Sequence, residues 1–121
     1  MATRRPMGSL EADVLRYLWN DDQGATPGQV AEGVGAEVAY TTIMTVLTRL
    51  WRKGLVDRER RGRAFAYTAC VSEADYAAQR MRDALSRAHD SEAVLSRFVD
   101  TLSSRDAKAL RQVLDHLDKR R

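Results

Sequence analysis

Residues 40–53, YTTIMTVLTRLWRK, are the most informative stretch of this sequence. At 100° per residue along a helix, four apolar side chains fall within one narrow arc: Ile43, Val46, Leu47 and Leu50. The opposite arc holds mostly threonine, together with Met44 and Arg52. Threonine is a middling helix former, so exposure to water alone does not explain such a face. The stretch therefore predicts a helix with one face in the core and the other in close contact with a partner.

A face of short hydroxyls and methyls suits a nucleic-acid groove, because these groups can approach base edges and phosphates closely. The alternative is a half-buried face packed against another helix, which would also tolerate threonine. The charge distribution favours the groove, since residues 39–71 carry a net charge of +5 and residues 9–38 carry −5. A basic segment beside an acidic one is what a localised polyanion-binding surface requires. A merely solvated strand-and-loop face is the plainer alternative for those charges.

We predict a DNA-contacting set on this helix and on the arginines that follow it. The members are Thr41, Thr42, Met44, Thr45, Thr48, Arg49, Arg52, Lys53, Arg61 and Arg63. The threonines are expected at bases or nearby phosphates, and the methionine on a thymine methyl. The basic residues of the helix are expected to hold the DNA backbone, and those at 61 and 63 to reach phosphate or the minor groove.

Two shorter helices are predicted before this one. Residues 10–20 carry apolar side chains at helical spacing, with Ser9 as the predicted N-cap and acidic residues in the first turn. Thr26-Pro27 is a strong helix start, and Gly33 and Gly35 close the helix 27–34. With residues 40–53, this second helix forms a predicted helix-turn-helix.

A β-hairpin is predicted directly after the third helix, which Gly54 ends. Residues 55–60 and 64–69 alternate in polarity, and Arg61-Gly62-Arg63 lies between them as a turn with an arginine tip. Three helices followed by a hairpin wing predict a winged helix-turn-helix domain at residues 8–71, and the basic maximum falls on the third helix and the wing.

Residues 72–121 are predicted to form a helical dimerisation domain, so the fold class is mostly α. Helix starts are predicted at Ser72, at Asp90 or Ser91, and at Ser103. The apolar positions expected at the dimer interface are Tyr76, Met81, Leu85, Val94, Leu95, Phe98, Leu102, Leu110, Val113, Leu114 and Leu117. Three short amphipathic helices cannot close a satisfactory core alone, and a second copy of the chain is the simplest cover. Packing against the winged half of the same chain is the alternative.

The remaining features exclude several functional classes. Cys70 is the single cysteine among 121 residues, which excludes an internal disulfide and a cysteine-built zinc site, and no metal or cofactor is expected. No phosphate-binding loop, GxGxxG or GxSxG motif occurs, so an enzyme is not expected. No apolar run is long enough to enter a membrane, which predicts a cytoplasmic protein. A winged-helix module that binds other proteins remains an alternative, as does a metal or redox response through Cys70.

The segment 39–69, AYTTIMTVLTRLWRKGLVDRERRGRAFAYTA, closely resembles the recognition helix and wing of the penicillinase-repressor family, the BlaI, MecI and CopY regulators. LEADVLRYLWN at 10–20 and TPGQVAEGV at 26–34 resemble the first two helices of that family, and the likeness covers residues 8–118. The resemblance implies a homodimeric repressor that binds a palindromic DNA operator.

The resemblance also implies how such a repressor is released. A membrane-bound sensor metalloprotease typically cuts these proteins in the C-terminal domain. In staphylococcal members the cut precedes a phenylalanine, and the matching stretch here is Arg97-Phe98-Val99-Asp100, with arginine in place of the usual asparagine. The copper-sensing branch carries a cysteine-rich tail that this sequence lacks, so copper release of that kind is not expected.

Overall fold

The computed structural model describes residues 7–35 and 37–120. Ala36 in the predicted interhelical turn and Arg121 in the predicted second domain lie outside these described residues. The elements, in chain order, are α1 (Met7–Trp19), α2 (Pro27–Val34), α3 (Tyr40–Arg52), β1 (Val56–Arg61), β2 (Ala64–Ala69), α4 (Glu73–Ser86), α5 (Ser91–Asp100) and α6 (Ser104–Arg120). The predicted mostly helical architecture, with a winged helix-turn-helix and further helices after it, is confirmed.

The first compact unit extends to Ala77, and the second begins at Ala78, inside α4. The core of the first unit is formed by apolar side chains from α1, α2, α3, the hairpin and the start of α4. Its buried members are Leu10, Val14, Leu15, Leu18, Ala25, Val30, Ile43, Val46, Leu47, Leu50, Val56, Tyr67 and Tyr76. The four apolar residues predicted for the inner face of α3 are all among them, so that prediction is confirmed.

Helix α3 ends in a Schellman motif, which explains why the chain reverses directly into the wing. The N–H of Leu55 donates to the carbonyl of Leu50, and the N–H of Gly54 donates to that of Trp51, each at 3.0 Å. Gly54 has φ +78°, a left-handed conformation that costs glycine little. The helix stop predicted at this glycine is confirmed.

The hairpin turn is shorter than the one predicted at Arg61-Gly62-Arg63, because Arg61 is the last residue of β1 and pairs with Ala64. Val56 pairs with Ala69, Arg58 with Tyr67 and Arg60 with Phe65, so these six side chains share one face. The turn consists of Gly62 and Arg63, and the positive φ of Gly62 at the first position is typical of a type II′ turn.

Among the described residues, one extra bridge extends the sheet beyond the predicted hairpin. Ala25, just before α2, exchanges two backbone hydrogen bonds with Tyr67 of β2, at 3.0 and 2.8 Å. A bridge formed by one residue creates no repeating pattern in the sequence, so the sequence does not reveal it. The bridge holds the loop between α1 and α2 against the wing.

The prediction that Ser9 caps α1 is wrong. The helix begins at Met7, so Ser9 lies within its first turns, and Glu11 and Asp13 lie beyond the first turn. Serine costs a helix less than about 0.7 kcal/mol relative to alanine, which is too little to end the helix there. The other predicted caps are confirmed: Thr26 forms a capping box with Gln29, and the side chains of Ser72, Asp90 and Ser103 each accept a backbone N–H.

In the second unit, α5 and α6 contain no buried residue. Many of their apolar side chains, and Met81 of α4, are largely exposed; Val113 is 63% exposed and Leu114 50%. Leu85, Leu102 and Leu110 are half-buried. Taken as a single chain, this unit leaves its apolar faces in contact with water. Along 7–35 and 37–120, no helix is long and apolar enough to cross a membrane.

The two faces of α3 predict opposite effects on stability. Leu47→Ala removes a fully buried side chain and should lower the free energy of unfolding by about 2–5 kcal/mol. Met44→Ala, on the exposed face of the same helix, should change it by less than about 0.5 kcal/mol. Urea denaturation at fixed protein concentration, followed by fluorescence of Trp19 and Trp51, measures both. Equal losses for the two variants would contradict the burial pattern of α3.

Candidate nucleic-acid interface

The outer face of α3 is the centre of the candidate interface. Thr41, Met44, Thr45, Arg49 and Arg52 are exposed, and Thr42 and Thr48 are half-buried. Five of these line one depression on the surface: Met44, Thr45, Thr48, Arg49 and Arg52. The face exists because Ile43, Leu47 and Leu50 are held in the core on the opposite side. Five of the seven predicted residues within α3 therefore share one surface feature, which Thr41 and Thr42 do not line.

Two threonine hydroxyls on this face are hydrogen-bonded to the helix itself. Oγ1 of Thr45 donates to the carbonyl of Thr41 at 3.0 Å, and Oγ1 of Thr48 donates to that of Met44 at 2.8 Å. These bonds use the hydroxyl proton and leave the oxygen lone pairs and the methyl group for a partner. Such a threonine can accept a hydrogen bond from a base or pack on a thymine methyl.

The basic residues of α3 fall into two groups. The side chains of Arg49 and Arg52 form no hydrogen bond or ion pair with any residue of the described ranges, so both guanidinium groups are available to a partner. Lys53 instead donates from Nζ to Oε2 of Glu11 at 3.0 Å, joining the end of α3 to α1. Since Lys53 is 55% exposed at its side chain, this ion pair is screened by water and can exchange for a phosphate.

Glu11 also contacts the start of α4. Its Oε1 accepts the hydroxyl proton of Tyr76 at 2.9 Å, and the Tyr76 ring packs edge-on against Trp19 with centroids 6.0 Å apart. Tyr76 is 7% exposed. Its predicted place on the dimerisation surface is therefore corrected, because α1 encloses the ring within the first unit.

The wing contains an aromatic–arginine stack that the sequence analysis missed. The guanidinium of Arg58 lies 3.7 Å from the centroid of the Trp51 ring and 4.2 Å from that of Phe65. Arg60 is 5.3 Å from the Phe65 centroid on the same face. Alternation within each strand does not relate the face of Arg58 to that of Phe65, because that depends on the turn length, and only the tertiary structure brings Trp51 of α3 against them. The stack fixes the wing to α3 through cation–π attraction.

The two arginines beside the wing turn differ in their contacts. Nη2 of Arg61 donates to the carbonyl of Gln23 at 2.6 Å, and its Nη1 donates to that of Gly24 at 3.3 Å. Arg63, at the tip, is exposed and makes no such bond within the described parts of the chain. The sequence predicted one role for both residues, whereas the structure separates them.

Cys70 has the features of a weakly reactive thiol. Its Sγ donates to the carbonyl of Gly54 at 3.2 Å. Desolvation raises the pKa of this thiol above its ordinary value, and the negative charge of Asp57 raises it further. A raised pKa lowers the fraction of reactive thiolate at neutral pH. Within 7–35 and 37–120, no three histidine, cysteine or acidic side chains are grouped as a metal would require. The structure therefore gives no support to a metal or redox response at Cys70.

The profile of the penicillinase-repressor family matches residues 7–116. The chain belongs to this family. The transcriptional regulator BlaI of Mycobacterium tuberculosis is 39% identical over 123 residues, an alignment that covers 98% of this chain and 89% of that protein. The penicillinase repressor of Bacillus licheniformis is 27% identical, with 87% of this chain and 86% of that protein covered.

A solved structure supports the same assignment to the penicillinase-repressor family. The solution structure of the DNA-binding domain of the repressor BlaI superposes with a TM-score of 0.50 and 29% identity, and the match covers 55% of this chain and 83% of that one. The resemblance inferred from residues 8–118 is confirmed.

The orientation of the Thr45 hydroxyl predicts which substitutions alter base discrimination. Thr45→Val keeps a methyl group and should retain most of the preference for operator over random duplex. Thr45→Ala removes that methyl and should reduce the preference by about 1–3 kcal/mol if the residue abuts a base. The operator is obtained by selecting random duplexes with the protein, and fluorescence anisotropy measures both affinities.

Thr45→Ser is the matched third variant, because it keeps the hydroxyl and loses the methyl. Discrimination by Thr45→Ser should resemble that of Thr45→Ala. Wild-type discrimination by Thr45→Ser, together with a loss in Thr45→Val, would assign the recognition to the hydroxyl instead.

Proposed function

We propose that this protein is a DNA-binding transcriptional repressor that binds a palindromic operator as a homodimer. The observation that carries the proposal is the outer face of α3, where Arg49 and Arg52 have no acidic partner in the described residues and flank exposed threonines. In the proposed complex α3 enters the major groove, with Thr41, Thr42, Thr45 and Thr48 at bases or nearby phosphates and Met44 on a thymine methyl. Membership of a family that includes named repressors supports this function.

The proposed backbone contacts come from α3 and the wing. Arg49 and Arg52 neutralise phosphates beside the groove, and Lys53 joins them by exchanging Glu11 for a phosphate oxygen. Arg63 reaches phosphate or the adjacent minor groove from the wing tip. Because Arg61 is bonded within the protein, the wing contact is assigned to Arg63 alone.

The proposed homodimer is supported by the apolar faces of the second unit. Val94, Leu95 and Phe98 of α5 are each at least 39% exposed, although α5 is a regular, well-capped helix. Contiguous exposed apolar side chains of this kind mark an interaction surface. The proposed interface comprises Met81, Leu85, Val94, Leu95, Phe98, Leu102, Leu110, Val113, Leu114 and Leu117. A two-fold dimer predicts half-sites about one helical turn of DNA apart.

Release by proteolysis between Arg97 and Phe98 is the proposed mode of control. This peptide bond lies within α5, so a cut would divide the helix. Phe98 would then be separated from the apolar residues that precede it in α5. Losing the dimer removes the avidity of two linked sites, a factor of roughly 10² to 10⁴ in operator affinity. A membrane-bound sensor metalloprotease is the proposed partner, on family resemblance.

Salt dependence tests the proposed DNA contact without knowledge of the operator. Binding to a random duplex should weaken steeply with salt, since log K falls by about 0.9 per neutralised phosphate for each unit of log salt concentration. Arg52→Ala should reduce this slope by about 0.9 per subunit. Lys108→Ala, an exposed lysine on α6, is the matched control and should leave the slope unchanged. A protein-docking module would show neither DNA binding nor such a slope.

Phe98→Ala tests the proposed dimer and its role in control. Analytical ultracentrifugation of the full chain at micromolar concentration should give a dimer, and the Phe98→Ala dimer should dissociate at a higher protein concentration than the wild-type dimer. Operator affinity should fall with it, while the affinity of each subunit for random duplex stays unchanged. Ser96→Ala, on the polar side of α5, is the control. A wild-type monomer, or a Phe98→Ala variant that dimerises and represses normally, would contradict this proposal.

A further inference from the structure

The wing arginines Arg61 and Arg63 are close in sequence but have opposite surroundings. Arg61 is the last residue of β1 and pairs with Ala64, while Arg63 is in the turn. The Arg61 side chain reaches the loop before α2. There its two terminal nitrogens donate hydrogen bonds to two successive carbonyls, at 2.6 and 3.3 Å. The carbonyls of Gln23 and Gly24 supply partial negative charge, so two of the five N–H donors of the exposed guanidinium are used within the chain.

The loop that binds Arg61 is itself fixed to the wing. Ala25, the next residue, exchanges two backbone hydrogen bonds with Tyr67 of β2 and is fully buried. Gly24 is also buried, and a Cβ at that position would lie 3.5 Å from Nη2 of Arg61 and 3.3 Å from Cγ2 of Thr68. The loop therefore offers Arg61 a rigid anchor, and the side chain crosses the hairpin to reach it.

We propose that Arg61 is a positioning residue that holds the wing tip against the loop before α2, so that Arg63 is presented to the DNA backbone. The inference rests on the proposed function, and it assigns the two arginines different roles. Without the Arg61 anchor, the two-residue turn at Gly62 and Arg63 is held only by the hairpin ladder. The contact of the Arg63 guanidinium with DNA then becomes weaker, because part of the binding free energy is used to order the wing tip.

Lysine substitutions distinguish an anchor from a phosphate contact. An ammonium serves as a point charge for phosphate, so Arg63→Lys should keep DNA affinity within about two-fold of wild type. The Arg61 guanidinium uses two separate nitrogens on two carbonyls, a fork that lysine lacks. Arg61→Lys should therefore weaken binding to random duplex nearly as much as Arg61→Ala. Full retention of affinity by Arg61→Lys would overturn the proposal.

A double-variant measurement gives a second, independent readout. Arg63→Ala should reduce the salt slope by about 0.9 per subunit, and adding Arg61→Ala should reduce it no further. If Arg61 itself contacts phosphate, the double variant loses about 0.9 more per subunit, and the positioning role is wrong. Equal urea midpoints for all variants are expected, since both side chains are exposed. A fall in the midpoint of Arg61→Ala alone would assign it to general stability instead.

Amide hydrogen exchange tests the anchor without DNA. In the full chain, Arg61→Ala and Arg61→Lys should speed exchange at the amides of residues 62–64 and at Gln23 and Gly24. Arg63→Ala should leave these rates unchanged. This measurement separates the two proposals. If the wild-type protein binds no DNA but the Arg61 variants show this faster exchange, the proposed function is refuted and the anchor is retained. Unchanged exchange in both Arg61 variants overturns the anchor, whatever the DNA result.

Discussion

Burial of the inner face of α3 is the constraint on which the candidate interface depends. Ile43, Leu47 and Leu50 are fully buried, and protein interiors are packed at nearly crystalline density, so the helix cannot rotate without exposing them or opening voids. The outer face is therefore fixed in direction by core packing and not by its own residues. This arrangement lets Thr45 and Arg52 vary for recognition at little cost in stability, because neither contributes to the core.

Three arginines of the first unit have different surroundings. Arg58 stacks between Trp51 and Phe65 and joins the wing to α3. Arg61 is bonded to the loop before α2, whereas Arg52 on α3 has no partner among the described residues. The stack and the loop contact both restrain the wing, one near α3 and the other near the turn. The net charge of +5 over residues 39–71 therefore does not count the cations free to meet a phosphate, because Arg58 and Arg61, two of its seven basic residues, are held in these contacts.

The second unit has the opposite balance of burial. Its helices are regular and capped by side chains such as Asp90, yet α5 and α6 bury no residue completely. A helix of 10 residues, the length of α5, is marginal in water without tertiary packing. The apolar side chains around Phe98 are therefore available to stabilise α5 through a partner, and operator binding by a dimer would couple DNA affinity to that contact. A change confined to this unit could then control binding without altering α3.

Patterns within single elements determined the order of elements, the inner face of α3 and the alternation within each strand, because helical and strand periodicities of 3.6 and 2 residues are local properties. Local caps such as Thr26 and the Gly54 stop were equally readable from the sequence. Contacts between distant segments were not: only the tertiary structure brings Glu11 to Tyr76 and Arg61 to the carbonyl of Gln23. Each of these contacts depends on how packed elements converge, which no periodicity encodes. The sequence by itself therefore determined which face of α3 is the candidate interface, and the tertiary structure decided which side chains on and around that face are free to contact a partner.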